Sequence, residues 1–411
     1  MASSTLEHQG AGVRRAAREL ARTSDAVRRD VLLDVARDLS TRRDELLRVN
    51  ALDVADYGDA GSGLDRLTLS DARIDAMVQT LCDVAEAPDP LAEIVDRDVR
   101  PNGLRVERVR VPLGVVGVVY ENRPNVTSDV AGLCVRSGNA AYLRGSASAW
   151  RSNRFLVDCW RRALVRAGLP ADAVAIVEDQ SHETVIEFMQ LTGVVDCLIP
   201  RGGPSLIAAM REHARVPYVL DGDGNCHIFV DESADLDSAL DIVDNAKTSR
   251  PGVCNAVETV LVHHAIAERF LPLLARRLAT VELRVDERAG DVLPEARRAT
   301  DDDFAREFLD LVLALKVVDS LDEAIDHVAR FGTGHSEAIL TTNVRNADEW
   351  VRRVDAAAVL VNASTRFIDG GELGLGGEVG ISTQKLHARG PMGLRELTCL
   401  KWVVRGEGQI R

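Results

Sequence analysis

The residue best suited to covalent chemistry is Cys254, in the segment Lys247–Glu258, KTSRPGVCNAVE. A Pro-Gly turn precedes the thiol and a β-type run follows it, so the sequence predicts a turn between a helix and a strand. A thiolate on such a turn faces a cleft and can attack a carbonyl or an acyl phosphate. Lys247 and Arg250 would favour the thiolate form. A small buried hydrophobic cysteine fits the same spacing, which leaves both interpretations open.

Two predicted strand ends carry groups that suit a bound phosphate. The run AAYLRG delivers Arg144 and Gly145 to the carboxyl edge of a sheet, where α/β proteins bind nucleotides. The segment Ile199–Ser205, IPRGGPS, places two glycines between a strand and a helix, an arrangement whose N–H groups collect anions. Such glycine pairs are also common in ordinary turns. The sequence contains no G-x-G-x-x-G fingerprint, which disfavours an ordinary Rossmann dehydrogenase.

Arg123 and Asn125 stand between these two motifs, in the segment YENRPNVTSD. Their guanidinium and amide groups could donate hydrogen bonds to a developing oxyanion or to a phosphate oxygen. Asn125 could instead cap a helix that starts at Thr127, a common role for asparagine. Spacing alone does not separate the two roles.

Composition and charge exclude several classes of function. The chain has 411 residues, 46% of them hydrophobic and 28% charged, as expected for a folded protein of two or three domains. A net charge of −14 repels phosphodiester backbones and anionic membranes, so nucleic acid is not an expected partner. Seven scattered cysteines without a C-x-x-C pair indicate a reducing cytoplasm.

Metal and membrane binding are also not expected. Cys226-His227 and His263-His264 are adjacent pairs, and neighbours on a strand point to opposite faces, so neither makes a convincing metal site. The longest apolar run, Val111–Tyr120, has about half the length that spans a bilayer. The sequence therefore predicts neither a metal ion nor a membrane segment.

The elements that position these residues alternate along the chain. The first eighty or so residues show the three-and-four spacing of amphipathic helices. From about Val106, short β-branched runs separated by helical segments, VPYVL among them, predict a parallel sheet wrapped by helices. A second α/β series follows Asp231, with a helix near Leu236–Lys247 and a strand at Thr259–Val262. Two α/β domains are therefore the economical interpretation. Glycine crowds the segment Arg366–Gly393, which predicts a long loop that touches a ligand or a partner.

Taken together, the motifs resemble the gamma-glutamyl phosphate reductases, a family within the aldehyde dehydrogenase superfamily. In the family's order they are VPLGVVGVVYENRPNVTSD, GNAAYLRG, VDCLIPRGGPSLI, GDGNCHIFVD, SRPGVCNAVET, LALKVVDSLDEAI, NASTRF, GLGGEVGIST and HARGPMGL. The resemblance spans nearly the whole chain and is weakest before about residue 100 and around Glu282–Asp303. It implies an α/β, aldehyde-dehydrogenase-like fold with two Rossmann-like α/β domains and a small β oligomerisation element.

The superfamily architecture implies three parts. An NADPH-binding domain would hold residues 1–232 with a late return near 363–395, and a catalytic domain carrying the thiol would hold residues 233–362. The oligomerisation element would combine residues 104–111 with 396–405, where LRVERVRV and TCLKWVVR alternate apolar and charged residues as half-exposed strands do. An ordinary surface hairpin is the alternative. A homo-oligomer is therefore expected, with dimer and tetramer both open.

The resemblance also implies a reaction. The family reduces L-glutamyl 5-phosphate with NADPH to L-glutamate 5-semialdehyde and phosphate, the second step of proline biosynthesis. Cys254 resembles the family's catalytic thiol, which displaces phosphate to give a thioester. Asn125, with the backbone N–H of Cys254, resembles the oxyanion-hole pair, and Asn122 stands close enough in the sequence to take that role instead. A glutamate kinase could channel the acyl phosphate to this chain.

The residues implied to contact the cofactor lie at two strand ends and ahead of a later strand. They are Arg144, Gly145, Ser146, Arg201, Gly202, Gly203 and Glu307. Glu307 is placed like the superfamily glutamate that holds the nicotinamide ribose. The neutral run Gly145–Ala149 has no carboxylate to repel a 2′-phosphate, which favours NADPH.

A strongly anionic substrate needs a local positive site in a protein of net negative charge. The candidates are Arg123, Arg366, Lys385 and Arg389. An acyl phosphate is already activated, so the site needs no dedicated general acid. Two rivals are an aldehyde dehydrogenase homologue that oxidises a free aldehyde, and a non-catalytic nucleotide-binding protein that keeps the fold.

Overall fold

The computed structural model describes residues 2–58, 62–220 and 222–411. The helices are α1 (Ala2–Leu20), α2 (Asp25–Thr41), α3 (Arg43–Asp56), α4 (Ser62–Leu67), α5 (Asp71–Glu86), α6 (Pro124–Arg136), α7 (Trp150–Arg166), α8 (His182–Met189), α9 (Pro204–His213), α10 (Leu236–Thr248), α11 (His264–Arg277), α12 (Glu287–Val292), α13 (Asp301–Phe304), α14 (Leu321–Phe331) and α15 (Val344–Arg353). The strands are β1 (Ile94–Val99), β2 (Arg105–Pro112), β3 (Val115–Tyr120), β4 (Ala140–Arg144), β5 (Val174–Ile176), β6 (Cys197–Arg201), β7 (Cys226–Val230), β8 (Val257–His263), β9 (Glu282–Val285), β10 (Arg297–Arg298), β11 (Val312–Val318), β12 (Ser336–Leu340), β13 (Ala358–Val361), β14 (Ile381–Ser382), β15 (Gly390–Pro391) and β16 (Thr398–Arg405).

The chain forms two compact units. The first comprises Met1–Asp221, Gly374–Gly380 and Met392–Arg411, and the second comprises Gly222–Leu373 and Ile381–Pro391. The second unit begins before the predicted boundary at 232, because β7 pairs with β8 and β12 and so belongs to the sheet of the second unit. The late return to the first unit arrives in two segments rather than one.

The first unit contains a parallel four-stranded sheet in the order β5-β4-β3-β6. Every residue of β3 and β4 is buried, as their uninterrupted apolar runs predict for a sheet covered on both faces. The register pairs Val119 with Arg144 and Tyr120 with Arg201. The two strand ends that the sequence proposed for phosphate binding therefore lie at one carboxyl edge.

Helices precede this sheet in the sequence, as predicted. α2 and α5 both begin after a serine, and the Ser24 and Ser70 hydroxyls accept hydrogen bonds from the N–H groups of Val27 and Arg73. Each serine satisfies a donor that the first helical turn leaves without a backbone partner.

In the part of the chain that the structure describes, no helix combines the length and the apolar character needed to cross a bilayer.

The second unit contains a parallel seven-stranded sheet in the order β10-β9-β11-β8-β7-β12-β13. β7 and β8 are fully buried, and β8 packs with α10 and α11 in one hydrophobic core. The helix predicted near Leu236–Lys247 and the strand predicted at Thr259–Val262 are confirmed as α10 and β8. The link between them, residues 249–256, carries Cys254 to the amino end of β8.

A three-stranded antiparallel sheet, in the order β1-β2-β16, also belongs to the first unit. β2 and β16 pair along their whole length, from Pro112 with Thr398 to Arg105 with Arg405. β1 was not predicted, because its sequence IVDRDV is short and half charged. The outer strands are mostly exposed, including Trp402 at 63%.

Candidate active site

Cys254 lies in the link between α10 and β8, and its side chain is half-buried. A second segment passes directly against its main chain, since a Cβ added to Gly224 would overlap the carbonyl oxygen of Cys254. The same carbonyl oxygen accepts a hydrogen bond from Cys226 Sγ at 3.1 Å. Glycine at 224 is therefore required for the close approach that supports the nucleophile's backbone.

The segment that supports Cys254 is itself fixed by Asn225. The buried Asn225 amide donates to the carbonyl oxygens of Phe304 and Phe331, at 2.7 and 2.8 Å. Its backbone N–H donates to Thr333 Oγ1 at 3.1 Å. These three bonds fix the backbone of the segment that contacts the main chain of Cys254.

Arg366 binds the side chain of Asn255, the residue that follows Cys254. Its guanidinium donates to Asn255 Oδ1 and, through Nε, to Ser249 Oγ at 3.3 Å. Burial lowers the pKa of Arg366, and the nearby negative groups Asp369 and Cys254 oppose that shift. A cation in electrostatic contact with Cys254 favours the thiolate and would attract an anionic substrate. Arg366 thus takes the place that the sequence analysis gave to a neighbouring lysine.

Lys247 forms a buried ion pair with Glu258, a contact that the sequence did not predict. It is fully buried, and its Nζ donates to Glu258 Oε2 at 2.6 Å. The other oxygen of Glu258 accepts from the N–H of Leu309 at 3.2 Å. Burial raises the pKa of Glu258, and the lysine opposes that shift. The pair ties the end of α10 to β8 and so anchors both ends of the Cys254 link.

Glu307 reaches the same site from the chain ahead of β11. Its Oε1 accepts a hydrogen bond from the N–H of Gly224 at 3.1 Å. Since Gly224 contacts the main chain of Cys254, the structure brings Glu307, Arg366 and Cys254 together within the second unit. The prediction that Glu307 holds a ribose stays a prediction.

Lys385 and Arg389 lie in the glycine-rich segment that ends the second unit, between β14 and β15. Both bind Asp355: Lys385 through Nζ, and Arg389 through Nη1 at 2.9 Å. These two bonds lower the pKa of the Asp355 carboxyl. The two predicted substrate-binding cations therefore form one cluster around a shared carboxylate, separate from the Arg366 contacts.

Arg144 is buried at the carboxyl edge of the four-stranded sheet, and its side chain is committed to the protein backbone. It donates to the carbonyl oxygens of Gly145, Gln180 and Ser181, at 2.7, 2.9 and 2.9 Å. Burial lowers the pKa of Arg144. The guanidinium thus holds the loops after β4 and β5 in place, a role that the sequence did not indicate.

A carboxylate shares the glycine loop predicted for a diphosphate. Glu121 Oε2 accepts from the N–H of Gly203 at 2.9 Å, and a Cβ on Gly202 would lie 2.7 Å from the Glu121 carboxyl carbon. A Cβ on Gly203 would meet only that carboxylate, at 3.8 Å. The space beside Gly203 is restricted only by that carboxylate, and a phosphate at this loop would have to share or displace the bond between Gly203 and Glu121. Glu121 was not predicted as a site residue, although its position directly after β3 could have indicated a role at this edge.

Asn125 lies in the first turn of α6, which begins at Pro124 and not at Thr127, so Asn125 is not its cap. Its Nδ2 donates to Asp129 Oδ2 at 2.9 Å. Burial raises the pKa of Asp129 to about 6, and Asn125 and Arg201 oppose the shift. The amide is thus oriented by a carboxylate one turn along the helix.

Asn122, the alternative to Asn125, follows β3 with a φ of 22°. Its Nδ2 donates to the Tyr57 hydroxyl at 2.9 Å, and its Oδ1 accepts from Ser146 Oγ at 3.0 Å. Both asparagines are therefore held in place by neighbours of the first unit, as is the predicted cofactor residue Ser146. Arg123, at the N-cap of α6, is half-buried.

Among the described residues, no group of three or more His, Cys, Asp or Glu side chains could hold a metal ion.

Comparison with known proteins places this arrangement in a family. Residues 3–298 match the Aldehyde dehydrogenase family. Gamma-glutamyl phosphate reductases of Caldanaerobacter subterraneus subsp. tengcongensis and Moorella thermoacetica are 48% and 50% identical to this chain; the matches cover 99% of this chain and 99% and 98% of those chains. The crystal structure of gamma-glutamyl phosphate reductase from Thermotoga maritima matches with a TM-score of 0.96 and 46% identity over 99% of both chains.

These similarities confirm the predicted α/β, aldehyde-dehydrogenase-like fold and the resemblance that the motifs indicated. They cover the first unit and the second alike, because the matches extend over nearly the whole chain. The chain therefore belongs to the aldehyde dehydrogenase family and, within it, to the gamma-glutamyl phosphate reductases.

Proposed function

We propose that this oxidoreductase reduces L-glutamyl 5-phosphate to L-glutamate 5-semialdehyde with release of phosphate, using NADPH, as the second step of proline biosynthesis. The observation that carries the proposal is the identity of 46–50% over nearly the full length with gamma-glutamyl phosphate reductases. The reactive site within that length is a half-buried thiol, Cys254, in electrostatic contact with the guanidinium of Arg366.

Cys254 acts as the nucleophile in this proposal. Its thiolate attacks the acyl carbon, a carbon–sulfur bond forms, the bond to the phosphate oxygen breaks, and phosphate leaves with the bonding electrons. The product of this step is a thioester on Cys254. Gly224 and Cys226 fix the backbone of the nucleophile, so little reorganisation is needed when it attacks.

Neutral and cationic hydrogen-bond donors are proposed to stabilise the negative charge of the thiolate and of the developing oxyanion. Arg366 neutralises charge near the sulfur, while the backbone N–H of Cys254 and the amide of Asn125 are proposed as donors to the developing oxyanion. Asn122 remains the alternative amide. Arg123, Lys385 and Arg389 are proposed to attract the anionic groups of the substrate, which a protein of charge −14 otherwise repels.

The nicotinamide cofactor, when bound, supplies the hydride that reduces the acyl group. Gly145, Ser146, Arg201, Gly202 and Gly203, at the carboxyl edge of the four-stranded sheet, are proposed to hold it, with a phosphate sharing or taking the Gly203 N–H that now donates to Glu121. Arg144 contributes by fixing that edge, and Glu307 is proposed to hold a ribose. The neutral run after Arg144 favours NADPH over NADH.

We also propose that a second copy of the chain covers the three-stranded sheet β1-β2-β16. This sheet leaves Val99, Trp402 and Val404 exposed at 63%, 63% and 56%. Apolar side chains on exposed neighbouring strands are typical of a subunit interface.

The protein would act in the cytoplasm, where a glutamate kinase could pass the labile acyl phosphate to it.

The test runs the reaction in reverse. Glutamate 5-semialdehyde and NADP⁺ should give NADPH only when phosphate or arsenate is present, because the thioester must be discharged by an oxyanion. Cys254→Ala should lower this rate by a factor of about 10⁴ or more. Cys82→Ala, which removes a half-buried thiol of the first unit, is the matched control and should keep the parent rate.

Each rival gives a different result in the same assay. Oxidation that proceeds equally well without phosphate would favour an enzyme that hydrolyses its thioester, and so a free-aldehyde dehydrogenase. No turnover in either direction, with a folded protein that binds NADPH, would favour a non-catalytic nucleotide-binding protein. Activity that survives in Cys254→Ala would remove the thioester mechanism.

A further inference from the structure

A second thiol lies against the main chain of Cys254. Cys226 is the first residue of β7 and is fully buried. Its Sγ is 3.1 Å from the carbonyl oxygen of Cys254, to which it donates. At Gly224, two residues earlier, the same segment is in backbone contact with Cys254. Both cysteines belong to the second unit, so the contact lies within one compact body.

We propose that Cys226 is a resolving thiol, which captures an oxidised Cys254 as a reversible disulfide. The proposal rests on the proposed role of Cys254 as a reactive thiol. A disulfide needs Cα atoms about 4.4–6.8 Å apart. The Cys226 sulfur already lies 3.1 Å from the carbonyl oxygen of Cys254. Closing the disulfide would therefore take a change of side-chain rotamer and a local adjustment of residues 250–255, which belong to no helix or strand.

Hydrogen peroxide is the oxidant in this proposal. The Cys254 thiolate attacks one peroxide oxygen, a sulfur–oxygen bond forms, the oxygen–oxygen bond breaks, and hydroxide leaves. The sulfur has then lost two electrons and is a sulfenic acid. Cys226 sulfur attacks that sulfur, a sulfur–sulfur bond forms, and the sulfur–oxygen bond breaks. The departing oxygen leaves as water once it has taken up the proton that Cys226 gives up.

His335 is placed to handle that proton. Its Nδ1 is 3.6 Å from Cys226 Sγ and 2.8 Å from Ser336 Oγ, and all three residues are buried. A ring nitrogen in this position can take the thiol proton as Cys226 attacks and can pass it to the leaving oxygen. The cluster thus supplies a base where the second thiol needs one.

The same burial keeps Cys226 out of the reduction. It raises the pKa of the Cys226 thiol, and the nearby Glu337 carboxylate adds to the shift. A protonated thiol does not compete with Cys254 for an acyl group. Cys226 protects Cys254 only under oxidation. A sulfenic acid without a resolving thiol proceeds to a sulfinic acid, which thiols do not reduce.

The first experiment identifies the product directly. The full-length protein is treated with hydrogen peroxide, its remaining thiols are blocked with iodoacetamide, and it is digested with trypsin without reductant. Lys247 lies between the two cysteines, so a Cys226–Cys254 disulfide joins two separate tryptic peptides. We expect this cross-linked pair as the main oxidised form of Cys254. Cys254 found chiefly as sulfinic acid, with Cys226 alkylated, would overturn the proposal.

The second experiment compares recovery with dithiothreitol after peroxide, each variant relative to its own untreated rate. The parent should recover about fivefold more than Cys226→Ser or Cys226→Ala, whose Cys254 proceeds to the irreversible acid. Cys197→Ser, which replaces a buried thiol of the first unit, should recover like the parent. Equal recovery of all variants would overturn the proposal. The peptide masses do not depend on enzymatic turnover. A disulfide found in a protein without reductase activity would therefore contradict the proposed function but not the proposed role of Cys226.

Discussion

The link that carries Cys254 and the carboxyl edge of the four-stranded sheet use their charged residues in different ways. Around the link, a buried ion pair, Lys247 with Glu258, fixes both ends, and Arg366 binds the residue that follows Cys254. At the sheet edge, Arg144 binds backbone carbonyl oxygens, and Glu121 occupies an N–H group expected for a phosphate. The thiol region is thus prepared for reaction, whereas a phosphate at the sheet edge must share its donor with a carboxylate.

The largest effect is expected from breaking the buried pair behind the link. Lys247→Met leaves Glu258 buried without its partner, which should lower the free energy of unfolding by about 3–5 kcal/mol. Urea denaturation of the two proteins measures the difference. The control is Arg277→Met, which removes an exposed pair with Asp241 and should leave the free energy of unfolding close to that of the parent. Equal losses in the two variants would contradict the anchoring role of Lys247.

The second prediction separates the two regions by kinetics. Arg366→Met should lower kcat for the reduction by about 100-fold, because it removes the cation that we propose stabilises the thiolate and attracts the anionic substrate. Arg201→Met should instead raise the KM for NADPH by about tenfold with a smaller change in kcat. Steady-state kinetics with each substrate varied in turn makes the distinction. If both variants changed only the KM for NADPH, the assignment of Arg366 to the thiol region would be wrong.

The third prediction concerns the close approach at Gly224. Gly224→Ala should cost about 1–3 kcal/mol of stability and much of the activity, because its Cβ would overlap the Cys254 carbonyl oxygen. Gly252→Ala is the matched control in the link itself, where a Cβ would meet only the Leu309 carbonyl oxygen at 3.8 Å. Thermal unfolding and the rate of Cys254 alkylation are the measurements. A Gly224→Ala protein indistinguishable from the Gly252→Ala protein would show that the backbone contact does not position the thiol.

The smallest effect is a pH dependence at the sheet edge. The pKa of Asp129 is raised to about 6 by burial, against about 3.9 in an unfolded chain. Between those values the folded state keeps a proton that the unfolded state has lost, so stability falls as pH rises from about 4 to 6. Asp129→Asn should remove that part of the slope. Parallel slopes for parent and variant between pH 4 and 6 would contradict the shift.

Much of the fold could be predicted from local pattern. The periodicity located α10, β8 and the helical start of the chain, because each buries one continuous apolar face or run. The segment VPYVL, residues 216–220, was predicted as a strand but makes only an isolated bridge between Tyr218 and Leu198. Pro217 has no N–H to donate to a ladder, which explains why the pairing does not extend.

The candidate site was less predictable than the fold. The spacing placed Cys254 on the right kind of turn, but sequence does not reveal which cation pairs elsewhere, so Lys247 was assigned to the thiol in place of Arg366. The roles of Gly224 and Glu121 depend on contacts between segments far apart in the chain. Such contacts follow from the sheet order, which the alternation of elements does not determine.

The most direct test of the central claim is mass spectrometry of the acylated protein. Glutamate 5-semialdehyde and NADP⁺ are mixed with the protein without phosphate, the mixture is quenched, and the peptide that contains Cys254 is examined. The account predicts a glutamyl adduct on Cys254 that accumulates in these conditions and disappears when phosphate is added. No adduct, or an adduct that phosphate leaves unchanged, would contradict a thioester discharged by phosphate.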